Sequence, residues 1–243
     1  MSSDPLAQFT IPGGNYQYTG VPINDITSLE NTLVTGLLDE SGSTRAFASE
    51  MEKGVKEIVK ALRRSPRADN LMYRHCHFST GFREVHGYQT LNQIDLTKYD
   101  GCYICGGQTH YFDNTDRVLK EMIDYAEKQS AAKYLCNGYL FMITDGMDYG
   151  SSLKLPDLKK SLARGITSEA LESLNTLLIG VNNDDKVQEG LKNVAKECGF
   201  TQYLPLTDTD EKTIAKLCGF ISKSIQAQSQ ALGSGGPSKS LTF

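Results

Sequence analysis

The chain has 243 residues, a net charge of −4, 39% hydrophobic residues and 22% charged residues. That length buries a sizeable core without disulfides, and the composition excludes a disordered chain. The acidic balance leaves no basic footprint for nucleic acid, because the one compact basic cluster, Arg63, Arg64 and Arg67, reads as a solvated helix end.

Residues 1–28 read as an N-terminal extension. The start is polar and rich in Gly and Pro, without the basic and apolar stretches of a signal peptide. Short alternating stretches flank Pro12, Gly13 and Gly14 and suggest a hairpin over Phe9 to Thr19 at a sheet edge. No apolar run approaches the roughly 18 residues of a membrane span, so no membrane contact is expected. The six cysteines, Cys76, Cys102, Cys105, Cys136, Cys198 and Cys218, read as reduced core thiols, which suits a cytoplasmic location.

Residues 29–232 alternate apolar runs with amphipathic segments. Leu33 to Leu38 predicts a strand and Thr44 to Arg64 a helix, whose apolar face carries Phe47, Met51, Val55, Ile58, Val59 and Leu62. Leu71 to Ser79 predicts a second strand, and Val85 to Gln89 a short one at an edge. Thr115 to Lys128 predicts a helix, Tyr139 to Thr144 a buried strand, and Leu158 to Ala163 a short helix. Leu174 to Val181 predicts another buried strand. Asp184 to Cys198 follows as a helix closed by Gly199. Tyr203 to Leu206 is the final strand and Glu211 to Gln228 the last helix. Strand alternating with helix implies an α/β fold, doubly wound around a mostly parallel central sheet. Residues 233–243 read as a flexible Gly/Ser-rich tail with an apolar tip at Phe243.

Three polar segments follow apolar strands, where open α/β sheets bind ligands. They are Asp39-Glu40-Ser41-Gly42-Ser43, Gly106-Gly107-Gln108-Thr109-His110 and Thr144-Asp145-Gly146. Asp39, Ser41, Ser43, Thr109 and Asp145 supply hard oxygen donors, which suit Mg2+, with Mn2+ or Ca2+ as alternatives. The hydroxyls are neutral and only two carboxylates offset the charge. Such an ion stays electron-poor and accepts an outside carboxylate as a further ligand. Glu40, His110 and Gly146 are expected on the partner-binding rim. For Glu40 the alternative is to add charge just behind the ligands.

These loops resemble the von Willebrand factor A domain and its metal-ion-dependent adhesion site. Asp39, Ser41 and Ser43 match that family's Asp-x-Ser-x-Ser loop, Thr109 its threonine loop and Asp145 its aspartate loop. The resemblance spans roughly Leu33 to Leu232. It implies a doubly wound fold, metal-dependent capture of a protein's Asp or Glu carboxylate, and service in a larger assembly, including work beside ATP-driven ring machines in bacteria and phages. It implies a binding module and not an enzyme.

Two other readings compete. One is a Mg2+-dependent hydrolase or phosphatase, for which Asp39, Ser41 and His110 are the only candidate nucleophile or base; the chain has neither a Gly-x-Ser-x-Gly elbow nor a Walker-type loop. The other is a scaffold recognised through its N- or C-terminal segment. Cys102 and Cys105 form a C-x-x-C that reads as ordinary buried thiols, against a redox pair or half a zinc site. His75 and His77 fall on one face of their strand and Cys76 on the other.

Overall fold

The computed structural model describes residues 6–234 and Phe243. Its centre is β3 (Glu30–Asp39), a strand buried along nearly its whole length on both faces, which accounts for a run from Leu33 to Leu38 without a charged residue. The other strands are β1 (Ala7–Thr10), β2 (Gln17–Gly20), β4 (Leu71–Phe78), β5 (Phe82–Thr90), β6 (Leu135–Thr144), β7 (Leu174–Val181) and β8 (Gln202–Leu206). They form one sheet in the order β1-β2-β5-β4-β3-β6-β7-β8. β4, β3, β6, β7 and β8 run parallel to their neighbours, and β5 runs antiparallel to β4.

Alternate residues of each strand feed two cores. On one face Val34, Leu38, Tyr139, Phe141 and Ile179 pack under α1 (Ala48–Arg63) and α5 (Glu211–Ser234), through Met51, Val55 and Ile58 and through Leu217, Ile221 and Ile225. On the other face Leu33, Leu37, Leu140, Met142 and Leu178 pack under α2 (Tyr111–Ala131), α3 (Leu155–Ile166) and α4 (Asp185–Cys198). This is the doubly wound α/β arrangement that the alternating sequence implies. After β3 the chain passes to β4 on one side, while β6 lies on the other. The crevice at the carboxyl ends of β3 and β6 is therefore a topological switch point, the usual place for a ligand in such sheets.

Two elements differ from their expected form. The helix expected from Thr44 starts at Ala48, because Gly42–Ala46 forms a 3-10 turn instead. In that turn the Thr44 hydroxyl donates to the Ser41 carbonyl at 2.8 Å. The strand expected as a short edge, β5, runs for nine residues and is internal. Its free side is covered by the N-terminal hairpin of β1 and β2, where Val21 N–H donates to the Tyr88 carbonyl at 2.8 Å.

The hairpin is anchored by charge. Arg74 is fully buried on β4 and pairs with Glu84 at 2.6 Å and Glu121 at 2.7 Å. Glu84 Oε1 also accepts from the Thr19 amide at 3.1 Å and the Thr19 hydroxyl at 2.6 Å. Tyr18, whose ring centroid lies 5.5 Å from the Arg74 guanidinium, donates to Asp124 at 2.5 Å. Most of the tail, residues 235–242, lies outside the described residues. Phe243 itself sets its ring edge-on to Phe220 of α5, with centroids 5.5 Å apart.

Close approach at Gly87 gives a test. A Cβ there would lie 2.0 Å from the Thr19 carbonyl oxygen, and backbone cannot swing aside as a side chain does. Gly87→Ala is expected to cost about 1–3 kcal/mol through overpacking. It should also speed protease cleavage at the Pro12–Gly14 turn as the hairpin loosens. Cleavage at the wild-type rate would show that the hairpin is not held this way.

Candidate metal centre

Asp39 ends β3 and Asp145 directly follows β6, so two parallel neighbouring strands deliver both acids to the switch point. Hydrogen bonds tie the first and third loops together. Thr144 Oγ1 donates to Asp39 Oδ2 at 2.7 Å, and Ser43 Oγ donates to Asp145 Oδ1 at 3.0 Å. Within the first loop, Ser41 N–H donates to Asp39 Oδ1 at 2.8 Å, and the Ser41 and Ser43 hydroxyls lie 3.2 Å apart.

The second loop is zipped to the first by backbone. Gly106 N–H donates to the Glu40 carbonyl at 2.8 Å and Gly42 N–H to the Gly107 carbonyl at 3.4 Å. Thr109, two residues on, is buried. Its carbonyl accepts from Tyr149 N–H at 2.9 Å, which links it to the segment after Asp145. Among the described residues its hydroxyl enters no hydrogen bond, so its lone pairs are uncommitted. The structure thus joins Asp39, Ser41, Ser43 and Asp145 by direct bonds and brings Thr109 alongside through its backbone.

These distances fit a small hard cation. Mg2+ holds oxygens at 2.0–2.1 Å, so adjacent ligands of an octahedron are about 3 Å apart. The Ser41–Ser43 and Ser43–Asp145 separations of 3.2 and 3.0 Å are close to that edge length. Both Asp39 oxygens already accept hydrogen bonds, which suits contact with an ion through water.

The charges fit too. Burial pushes the Asp39 carboxyl up to about 6, against the hydrogen bonds from Thr144 and Ser41, and the Asp145 charge raises it further. Burial also raises Asp145, partly offset by Ser43. Neither acid has a basic partner among the described residues, so a bound cation would supply a counter-charge that the side chains do not.

The rim needs one correction. Glu40 does not face solvent. It is buried, and neighbouring residues at a strand end point to opposite faces, so Glu40 turns away from Asp39 and behind the loop. Its Oε2 lies 3.0 Å from His77 Nδ1 and accepts a short bond from Arg83. Burial works against ionisation, but His77 and Arg83 outweigh it and hold Glu40 below its ordinary value.

His110 is half-buried at the start of α2, where its Nε2 lies 3.2 Å from Gln108 Oε1. Gly146 has open space around it. Asp113, Asp148 and Asp157 are committed elsewhere, as acceptors from backbone N–H groups of Leu153, Phe112 and Lys154 at 2.8, 2.9 and 3.0 Å. Three exposed apolar side chains escaped the sequence reading: Ile104 on the second loop and Met147 and Tyr149 after the third. Their only signal was an apolar residue in a loop.

No family profile matches the sequence, and no curated protein matches it. Solved structures share the fold. The D319A mutant of the PilB minor pilin from Streptococcus sanguinis aligns over 88% of this chain and 65% of its own, at 14% identity and a TM-score of 0.60. The pilus adhesin SpaC from Lactobacillus rhamnosus GG aligns over 83% of this chain and 30% of its own, at 11% identity and 0.59. Proximal thread matrix protein 1 from the mussel byssus, in a form with a zinc-occupied MIDAS motif, aligns over 79% of this chain and 48% of its own, at 19% identity and 0.58. The chain therefore spans about a third to two thirds of the length of these proteins. At such identities the likeness shows the fold alone. Among the described residues no helix is long and apolar enough to cross a membrane.

The buried acid makes a pH test. Asp39 titrates near 6 when folded and near its ordinary 3.8 when unfolded. A raised folded value means its contribution is fully present below the unfolded value and is lost as pH rises through about 6. In metal-free protein this loss should reach about 3 kcal/mol at neutral pH. Asp39→Asn should remove it, so the variant melts higher than wild type at pH 7.5 and no higher at pH 4. Equal melting temperatures at pH 7.5 would show that Asp39 ionises without strain.

Proposed function

We propose that this chain is a von Willebrand factor A-type binding module that captures a partner protein's Asp or Glu carboxylate through a bound divalent ion, Mg2+ in the first instance. The observation that carries the reading is the chain of Ser41, Ser43 and Asp145 oxygens at octahedral edge spacing, tied to Asp39 through the Ser41 amide and without a basic partner among the described residues. The Ser41, Ser43 and Thr109 hydroxyls would hold the ion, with Asp39 and Asp145 directly or through water. When bound, the ion supplies an electrophilic position at which a partner's carboxylate replaces water.

The chain's own residues do the rest. The Thr144 and Ser41 donors orient Asp39, and Asn182, donating to the Asp145 carbonyl at 2.6 Å, fixes the third loop from the end of β7. Two acids match the charge of a divalent ion only formally. With Asp39, whose oxygens are already engaged, acting through water, the direct ligands are mostly neutral hydroxyls, which favours an incoming anion. Ile104, Met147 and Tyr149 offer apolar contact beside the loops, as His110 and Gly146 offer polar contact and space. A binding role needs no nucleophile, and both oxygens of Asp39 are already engaged. The neighbours' names, minor pilin, pilus adhesin and thread matrix protein, support placing this module in a larger assembly, for which a bacterial or phage one is our choice.

Millimolar Mg2+ is expected to raise the melting temperature by ligand linkage, on the order of 3–4 kcal/mol at 100–1,000 times Kd. Asp39→Ala and Thr109→Ala should each reduce that shift at least tenfold in apparent affinity. Immobilised protein should retain a partner from host extract in Mg2+ and release it on chelation, and Asp39→Ala should retain none. A melt insensitive to Mg2+, or capture that survives chelator, contradicts the proposal.

A further inference from the structure

Behind the oxygen site lies a second cluster with different chemistry. His75 and His77, on one face of β4, meet Cys102 from the segment before α2. The three donor atoms all lie within 4.8 Å of one another, and all three residues are buried. His75 Nε2 and His77 Nε2 face each other at 2.9 Å, and Cys102 Sγ is 4.0 Å from His77 Nε2.

The far nitrogens are also held. Tyr73 Oη lies 2.7 Å from His75 Nδ1 and Glu40 Oε2 lies 3.0 Å from His77 Nδ1. A ring whose Nδ1–H is taken by a carboxylate or hydroxyl presents a fixed Nε2 lone pair, which is how metal-binding histidines are commonly oriented. Burial depresses both imidazoles, so both stay neutral and each keeps one nitrogen lone pair.

We propose that His75, His77 and Cys102 form a zinc site, separate from the oxygen site and selective for Zn2+ over Mg2+. Two imidazoles and a thiol are a borderline-soft set that a hard ion does not prefer. Tetrahedral Zn2+ with bonds of 2.0–2.3 Å sets ligand nitrogens roughly 3.3 Å apart and nitrogen and sulfur roughly 3.6 Å apart. The two imidazole nitrogens must part by about 0.4 Å and Cys102 Sγ must close on His77 by about 0.4 Å, with the Cys102–His75 separation, now within 4.8 Å, closing toward the same value.

The bonds balance simply. Without the ion, His75 Nε2–H donates to His77 Nε2, while His75 Nδ1 accepts from the Tyr73 hydroxyl. On binding, the His75 proton moves from Nε2 to Nδ1, the Tyr73 hydroxyl turns to accept it, and two Zn–N bonds replace the hydrogen bond between the rings. The Cys102 S–H bond breaks, a Zn–S bond forms, and one proton leaves to solvent. His77 Nδ1–H then donates to Glu40, and His75 Nδ1–H to Tyr73. Arg83 Nη2, 2.9 Å from His77 Nδ1, gives its hydrogens to Glu40 and to the Cys102 carbonyl. The ion would pin the Cys102 segment to β4. That segment bonds the first oxygen loop through Gly106 and Glu40, so the zinc braces the adhesion loops from behind.

The test loads the full chain with Zn2+ in excess Mg2+, removes unbound metal and measures metal content. One zinc per chain is expected, retained by Asp39→Ala and lost by Cys102→Ser and His77→Gln. Co2+ in place of Zn2+ should give a thiolate-to-cobalt charge-transfer band in the unaltered protein and in Asp39→Ala. If the Cys102 variant fails to fold, that band decides alone. No retained zinc, loss of zinc in Asp39→Ala, retention in a folded Cys102→Ser, or a cobalt spectrum without the sulfur band overturns the proposal.

Discussion

Two carboxylates, the buried Asp39 and the half-buried Asp145, meet at the ends of adjacent parallel strands without a basic partner among the described residues, and burial raises both. Taking a charge out of water is costly unless something of opposite sign compensates it. The neighbouring hydroxyls and amides supply oriented dipoles but no net charge. On the proposed reading a cation compensates this pair, and the serine and threonine hydroxyls beside it favour a hard one. The fold concentrates this strain at one point because β3 and β6 diverge in connectivity there.

The same strand end does two jobs. Asp39 turns toward the crevice, while Glu40, one residue on, turns back into the α1/α5 side and pairs with His77 and Arg83. An extra acid in the first loop therefore adds no free charge at the rim. It fixes the path of the loop's backbone, whose carbonyl in turn receives Gly106 from the second loop. The first and second loops and the buried histidine cluster are mechanically one unit, joined through Glu40.

Local signals carried much of the fold. β7 runs over Leu174–Val181, the span its apolar run predicts. α4 starts behind an Asp184 cap that accepts from Lys186 and Val187 amides, and it ends at Gly199 with φ of 86°. What sequence could not supply was nonlocal. β5 reads as a short edge because its cover, the β2 strand, comes from more than 60 positions earlier and meets it at a single register pair. The true start of α2 at Tyr111 is masked by polar residues whose burial depends on α3 and the third loop. Glu40 reads as exposed because acids usually are, and its partners lie 37 and 43 positions away. His75 and His77 were legible as one face of a strand, but the arrival of Cys102 on that face depends on a long irregular connection. Asp39 at the end of β3 and Asp145 just after β6 were placed by their apolar strands, whereas the approach of the Thr109 segment to them depends on the long irregular connection after β5.

The most direct measurement is anomalous diffraction from crystals grown with Mn2+ in place of Mg2+. The account predicts one anomalous peak within coordination distance of the Ser41 and Ser43 hydroxyls, flanked by Thr109 and Asp145. Full Mn2+ occupancy at any other place, or crystals without a peak between those side chains, would contradict it.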